Sequence, residues 1–416
     1  MYIRRAMESV VIKTSKTFPV LFVTGPRQVG KTTLLQKVAE NGRKYVTLDD
    51  PDVRMLAKRD PALFMQRYSP PIIIDEIQYA PELLPYIKMS VDSSKRKGDF
   101  WLTGSQTFHT TKNVSESLAG RVGILKLLGL SNSEIFNVHS EPFLPNPDFM
   151  LRRLPEVKRM DLMQTFARIH KGSMPALYVD DVDVETFYRS YVNTYLQRDI
   201  IDLTQIADET AFLNFMTIVA ARTAKPIVYD ELAREAGISA PTAKRWLSVL
   251  VSSNIVALVQ PYHNNVLKRM TKMPLLHFLD TGLCAYLLKW SNADVLERGA
   301  MSGSFFESYV FSEIYKSWIN AGKEPPLYYY RDKEQHEIDI LILSDGVIYP
   351  IESKKTASPG IDSIKHFRIL KPITDPVKFG GLEELKTDIG TGAVICMATD
   401  LLPIDQKNWY VPSWLV

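Results

Sequence analysis

Gly25-Pro26-Arg27-Gln28-Val29-Gly30-Lys31-Thr32 has the spacing G-x-x-x-x-G-K-[ST] and lies between an apolar run, residues 18–24 (FPVLFVT), and a segment of helical spacing, residues 33–39 (TLLQKVA). A loop of this kind at a strand-to-helix junction reads as a phosphate-binding P-loop. Its glycines let backbone N–H groups face a polyphosphate without interference from a Cβ. The first turn of the next helix adds unpaired N–H groups and the positive end of its dipole. Lys31 is expected at the β- and γ-phosphates and Thr32 at a Mg²⁺ ion, with Gly25, Pro26, Arg27, Gln28, Val29, Gly30 and Thr33 completing the nucleotide cradle. The bland alternative is a surface glycine turn.

Working outward, residues 71–76 (PIIIDE) form an apolar strand ending in two acids, which looks like a Walker B element. Asp75 is expected to hold Mg²⁺ and Glu76 to polarise the attacking water; an acidic pair capping a helix is the alternative. From residue 4 to about 138, a short amphipathic helix (4–16) is followed by alternating strand-like and helix-like runs, including a helix over 52–67 and one over 82–95. That alternation predicts a parallel sheet with helices on both faces. In residues 101–105 (WLTGS), Thr103 or Ser105 could orient the hydrolytic water, or the run is a plain strand-to-turn exit. Arg121, in SLAGR, could reach a γ-phosphate in its own subunit or a neighbour's, or be an ordinary surface arginine.

The chain of 416 residues is too long for one ordinary core and suggests two to four domains. Its 45% hydrophobic and 23% charged content are those of a soluble globular protein. No apolar run is long enough to span a membrane, and the start, MYIRRAMESVVIK, has no continuous apolar segment, so a cytoplasmic location without membrane contact is expected. Cys284 and Cys396 are too few for a disulfide framework. A net charge of +3 does not argue for nucleic acid, so DNA contact must rest on local patches.

Residues 141–148, with three prolines, read as a linker or rigid loop. Residues 161–208 look helical, and the Arg198–Asp199 pair within them is a salt bridge or a nucleotide sensor. Residues 229–236, a turn at Gly237 and Ser239, and a helix over 241–250 make a helix-turn-helix. Ala243, Trp246, Leu247 and Leu250 form its buried face, and residues 255–259 form a wing-like strand. This is a winged-helix reading. Lys244, Arg245, Lys268, Arg269 and Lys272 favour DNA in its groove, while a solvated face packing on another domain explains the same residues.

Near the C-terminal end, Glu307 lies early in a helix, and two β runs, 337–343 and 347–354, flank Asp345-Gly346, a strong type I′ hairpin signal. With those two residues as the loop, Asp339 opposes Glu352 and Glu337 opposes Lys354, all on one face. Opposed carboxylates need solvent, a proton or a cation between them, and a divalent metal held by Glu307, Asp339 and Glu352, beside Lys354, suits phosphodiester hydrolysis. A solvated charged hairpin is the alternative.

GPRQVGKT, IIIDE, WLTGS, SLAGR, YLQRD, FLDTGLCAYLL and the series FFE, HEIDI, IESK together resemble the bacterial and archaeal AAA-type ATPases (AAA_14-like) that carry a DUF4143 C-terminal region, itself similar to the PD-(D/E)xK nuclease fold. The resemblance implies an α/β chain with a P-loop ATPase domain at 1–140, a helical linker or lid at 141–208, a winged helix at 209–265 and a nuclease-like α/β domain at 266–416. Glu307, Asp339, Glu352 and Lys354 fall on the nuclease-like motif positions. The expected activity is a Mg²⁺-dependent ATPase whose nucleotide state repositions a DNA-binding winged helix and a nuclease-like domain, in DNA processing or mobile-element defence. Two alternatives stand beside it: a nucleotide-gated regulatory switch whose C-terminal fold does not cut, and an ATPase whose terminal domains only assemble subunits. Homo-oligomer formation is left open.

Overall fold

A computed structural model describes residues 2–105, 114–196, 208–262, 273–372, 378–379, 382–383 and 386–416. Strands β1 (Val20–Gly25), β2 (Lys44–Thr47), β3 (Ile72–Asp75), β4 (Phe100–Ser105) and β5 (Val122–Lys126) pair in parallel in the order β2-β3-β4-β1-β5. Parallel pairing puts all carboxyl ends on one edge. The loop after Gly25, Asp75 and the end of β4 therefore meet there, with Thr103 on the strand between the other two.

The period-2 alternation of these strands separates two cores. Val20, Phe22, Ile72, Ile74, Phe100 and Leu102 face a core closed by the helices Pro51–Arg59, Pro61–Arg67 and Leu83–Ser94. Leu21, Val23, Ile73 and Trp101 face the other way, into a core that runs unbroken from Met7 to Val416. The ATPase-like sheet thus shares its larger core with the C-terminal half, and no gap in packing falls near residue 140.

Local chemistry explains where the helices depart from expectation. The first begins at Glu8, not residue 4, and Arg5 is buried before it. The expected 52–67 helix is two helices, because Pro61 has no N–H to continue the first and Asp60 caps the second by accepting the Leu63 N–H at 2.9 Å. Residues 141–146 are a rigid loop rather than a free linker, with Phe143 buried and its N–H donating to Ser317 Oγ at 2.9 Å, and Pro147 and Asp148 already belong to the helix Pro147–Arg153, capped by Asn146. Residues 197–199, Lys268, Arg269, Lys272 and the side chain of Ser105 lie outside the described residues.

Helices Tyr229–Ala236 and Ala240–Ser252 meet at Gly237, whose φ of 66° is left-handed and favours glycine. Ser239 caps the second, whose buried residues are Ala243, Trp246, Leu247 and Leu250; Lys244 and Arg245 are exposed. The strands that follow are β6 (Lys225–Pro226), β7 (Val256–Pro261), β8 (Leu275–Phe278), β9 (Leu327–Arg331), β10 (Glu337–Ser344), β11 (Val347–Lys354), β12 (Lys378–Phe379), β13 (Leu382–Glu383), β14 (Asp388–Ile389), β15 (Gly392–Cys396), β16 (Leu402–Pro403) and β17 (Asn408–Pro412). Apart from the β12–β13 ribbon they form one sheet, β16-β17-β15-β11-β10-β9-β7-β8-β6, with β14 on β11. The parallel β7–β9 contact, Gln260 opposite Tyr328, joins the helix-turn-helix unit to the C-terminal strands, so β7 and β8 share one sheet with β9 to β11.

The β10–β11 hairpin turns on Asp345 and Gly346, both at positive φ (52° and 76°), as a type I′ turn requires. Its ladder runs from Ser344 opposite Val347 to Ile340 opposite Ile351 and stops there. The expected oppositions of Asp339 to Glu352 and of Glu337 to Lys354 are therefore not part of it: on the outer edges of the two strands Glu337 pairs Arg331, Glu352 pairs Val394 and Lys354 pairs Cys396. The physical reason is a shift in the β9–β10 register between Ile338 and Leu341, where Asp339 and Ile340 together oppose Tyr329 alone. Such a bulge bends its strand and re-aims the side chains in it.

Candidate functional site

At the carboxyl edge of the first sheet the loop is shaped as an anion cradle. Gly25 has φ of 148°, and a Cβ there would lie 2.0 Å from the Leu127 carbonyl oxygen, so no other residue fits. Gly30 has φ of 89°, and a Cβ added to it would meet nothing within 4 Å, so it borders open space. Lys31, 6% exposed, opens the helix Lys31–Val38 and donates through Nζ to the carbonyls of Gly25 (3.1 Å) and Pro26 (2.8 Å), which holds its cation in the curl of the loop. Arg27 donates to the Tyr79 hydroxyl at 3.2 Å.

Asp75 is the hub. Its Oδ1 accepts from Thr32 Oγ1 at 2.7 Å and from Thr103 Oγ1, while Oδ2 accepts from the Tyr45 hydroxyl at 3.1 Å. An adjoining hydroxyl and carboxylate are hard oxygen donors, the set that Mg²⁺ takes. Glu76 has φ of 58°, an uncommon backbone for a non-glycine residue, and its N–H donates to Thr103 Oγ1 at 3.2 Å. Gln78 donates to Glu76 Oε2 and reaches it because β4 has glycine at 104, where a Cβ would lie 2.8 Å from Gln78 Oε1. The sequence reading missed Gln78 and Tyr45. Gln78 could have been found from its place two residues after the acidic pair; Tyr45 has no local signal, because it arrives from the neighbouring strand.

Arg121 is not brought to this edge. It precedes β5 at the amino end, where its carbonyl accepts from Val20 N–H at 3.1 Å. Five residues of β1 separate that point from Gly25, about 17 Å at the usual rise. Its guanidinium pairs with Asp92 at 2.5 and 3.0 Å. The option of Arg121 serving its own subunit's phosphate is therefore corrected: a strand length intervenes.

The second cluster joins Glu307, on the helix Ser302–Asn320, with Asp339, Glu352 and Lys354. Asp339 Oδ2 accepts from Ser353 N–H at 2.7 Å, and Lys354 Nζ donates to Glu352 Oε1 at 2.6 Å. Burial and the neighbouring Asp339, Glu337 and Glu352 push the Glu307 carboxyl well above the usual range. Burial and Glu352 do the same to Asp339. Burial also raises Glu352, against the pull of Lys354. Burial opposes the charge on Lys354, yet Glu352, Asp339 and Glu307 hold its ammonium above the ordinary value. The donor types suit a divalent metal, but the spacing does not yet do so. Among the described residues, the group with one donor atom each within 4.8 Å is Asp332, Glu334 and His336, not Glu307, Asp339 and Glu352.

The raised carboxyl values have a measurable consequence. The folded chain keeps protons that the unfolded chain has lost above about pH 4, so this cluster costs stability increasingly as pH rises through that window. Asp339→Asn, which keeps an oxygen for Ser353 N–H, is expected to be more stable than the wild type by about 1 kcal/mol at pH 8. The gap closes near pH 4. Thermal unfolding at the two pH values checks this, and an equal gain at both would count against the charge cluster.

A buried polar chain runs between the two sites. Glu134 accepts from Arg5 Nε at 2.9 Å and from Ser131 N–H at 2.9 Å. Next to it, Asn132 N–H donates to Glu313 Oε2 at 2.7 Å and Asn132 Nδ2 to the Tyr309 hydroxyl at 2.6 Å. Glu313 also pairs with Lys316 at 2.9 Å and Arg168 at 3.6 Å, all three nearly inaccessible. Tyr309, Glu313 and Lys316 share the helix that carries Glu307. FLDTG has a structural part here too. Asp280 accepts from Ser173 Oγ and the Tyr188 hydroxyl, each at 2.8 Å, and caps the helix Thr281–Leu287.

Three family models match parts of the chain: an AAA domain over residues 17–136, a domain of unknown function (DUF8612) over 164–294 and another (DUF4143) over 302–416. Uncharacterized proteins of Mycobacterium bovis and Mycobacterium tuberculosis are each 28% identical over 345 residues, 82% of this chain and 72% of theirs. Among solved structures, the chain is similar to the Walker-type ATPase of Pyrococcus abyssi, at 14% identity over 69% of this chain and 96% of that one, with a TM-score of 0.43. It is also similar to a variant RuvB of Thermotoga maritima, at 18% identity over 60% of this chain and 86% of that one, with a TM-score of 0.29. The AAA match and the residues gathered inside it support an AAA-type ATPase domain at residues 17–136.

Proposed function

We propose that the chain is a Mg²⁺-dependent ATPase whose nucleotide state is coupled to a winged-helix unit and a nuclease-like C-terminal domain acting on DNA. The observation that carries it is the hydrogen-bonded set of Thr32, Asp75, Thr103 and Glu76 at the mouth of the loop. In this reading the loop amides and Lys31 bind the β- and γ-phosphates, and Thr32 and Asp75 hold the metal. Bound Mg²⁺ would neutralise phosphate oxygens. Glu76 orients the attacking water and takes its proton, with Thr103 fixing the backbone of Glu76 and Gln78 its carboxylate. Arg121, remote from its own loop, serves a neighbouring subunit in a homo-oligomer.

The Arg5–Glu134–Ser131 bonds and, from the next residue along the backbone, the Asn132–Glu313 bond support the coupling, since together they lead from the loop side to the helix bearing Glu307. Exposed Lys244 and Arg245 on the second helix of the helix-turn-helix support DNA contact. The proposed divisions are residues 1–140, 141–208, 209–265 and 266–416, with the last two joined by one sheet. No helix among the described residues is long and apolar enough to cross a membrane, and we place the protein in the cytoplasm.

A second reading has its own observation. One oxygen each of Asp339 and Glu352 accepts from Ser353 and Lys354, and the three acids do not close on one point. That favours a nucleotide-gated regulatory or assembly protein with a non-cleaving fold. Incubation with Mg²⁺ or Mn²⁺ and plasmid, linear or single-stranded DNA, beside Asp339→Ala, separates the two. Cutting well above the variant's background supports the nuclease; equal traces on every substrate leave the non-cleaving reading.

A further inference from the structure

We propose that Arg5 is a positioning residue of the phosphate loop, holding the Val29–Gly30 peptide so that the Gly30 amide is turned toward bound phosphate; this rests on the reading of residues 25–32 as a nucleotide loop. Arg5 lies ahead of the first helix and is only 4% exposed. Each of its three nitrogens donates to a group distant in sequence. Nη1 donates to the Val29 carbonyl at 2.7 Å, Nη2 to the Leu128 carbonyl at 2.7 Å, and Nε to Glu134 Oε1 at 2.9 Å.

The Val29 contact matters because of peptide geometry. In a planar trans peptide the carbonyl and the amide of one unit point in opposite directions. With the Val29 oxygen drawn inward to Arg5, the Gly30 N–H of the same unit is turned away from Arg5, and Gly30 borders open space. Rotating that peptide would leave a buried carbonyl without its donor and bring the amide out of line.

The other contacts make the tether rigid. Leu127 N–H donates to Thr24 at 2.7 Å, and the Leu127 carbonyl abuts Gly25, so the segment at Leu127–Leu128 lies against the root of the loop. Arg5 therefore clasps the far side of the loop at Val29 and, through Leu128, the segment against its root. Glu134 balances the buried charge while its carboxylate also accepts from Ala6 N–H at 2.9 Å. Lysine cannot replace this fork, having one nitrogen where arginine spreads three over a plane.

The test is titration of ADP and a non-hydrolysable ATP analogue into wild type, Lys31→Ala and Arg5→Lys, with melting curves taken without nucleotide and steady-state ATP turnover alongside. Arg5→Lys is expected to bind both nucleotides about tenfold more weakly, the size of a lost charge-assisted bond. Its KM should rise by more than kcat falls, because a misaligned loop is paid for mainly in binding. Wild-type affinity and KM in an Arg5→Lys protein that melts early would overturn the proposal, leaving Arg5 as a core clamp. If Arg5→Lys does not fold, Arg5→Gln combined with Glu134→Gln removes both buried charges together, and the same loss of affinity is expected. Wild type that binds neither nucleotide, indistinguishable from Lys31→Ala, overturns the loop reading itself and the proposal with it.

Discussion

Glu76→Gln is expected to bind ATP as the wild type does and to hydrolyse it at least ~100-fold more slowly, the usual contribution of a positioned base. Glutamine keeps the size and the hydrogen-bonding shape of the side chain but cannot accept the proton of the attacking water. The backbone of Glu76 is held independently, by its N–H to Thr103 Oγ1 at 3.2 Å, so the substitution leaves the loop and the Thr32–Asp75 pair in place. Nucleotide titration and steady-state turnover on one preparation check both halves. A normal rate would remove Glu76 as the base; lost binding would mean that its charge shapes the loop.

Glu313→Ala is expected to destabilise the protein by about 3–5 kcal/mol, the range for breaking a buried ion pair from one side. Glu313 is 3% exposed, faces Lys316 and Arg168, and accepts Asn132 N–H at 2.7 Å. Its loss strands two cations and a backbone donor where water does not reach. Chemical unfolding measures the effect, and a change under about 1 kcal/mol would mean that the site opens to water. The substitution also cuts the polar path between the loop and the Glu307 helix, so nucleotide-dependent changes in the C-terminal domain should weaken beyond what lost stability explains.

Much of the first sheet was legible because its signals are local. Residues 18–24 and 71–76 are apolar enough to be buried strands, and glycine, lysine and threonine at fixed offsets mark a turn into a helix. The hairpin was legible for the same reason: Asp345-Gly346 accepts positive φ at both positions, which sets the register of every pair up to Ile340 and Ile351. What failed was extrapolation past that point. The period-2 rule carried Glu337 and Asp339 onto one flat face, whereas the shift against β9 interrupts the alternation at Asp339. A bulge depends on the neighbouring strand, and nothing within 337–343 announces it.

Arg121 shows the same division. Its local setting suggested a phosphate contact, but which end of a strand a residue occupies relative to a distant loop depends on strand order. Arg5 is the opposite case: it read as part of an amphipathic helix, and only the folded chain brings Val29, Leu128 and Glu134 around it. By itself, then, the sequence determined the loop, the acids at strand ends and the turn of the hairpin, because each follows from backbone preferences within a few residues. Tertiary structure alone decided that the loop is tethered from the N-terminal segment, that Arg121 sits at the opposite end of the sheet from it, and that the C-terminal carboxyls crowd together under raised proton affinity. Those outcomes depend on contacts between residues far apart in the chain and on shared burial, which no local pattern encodes.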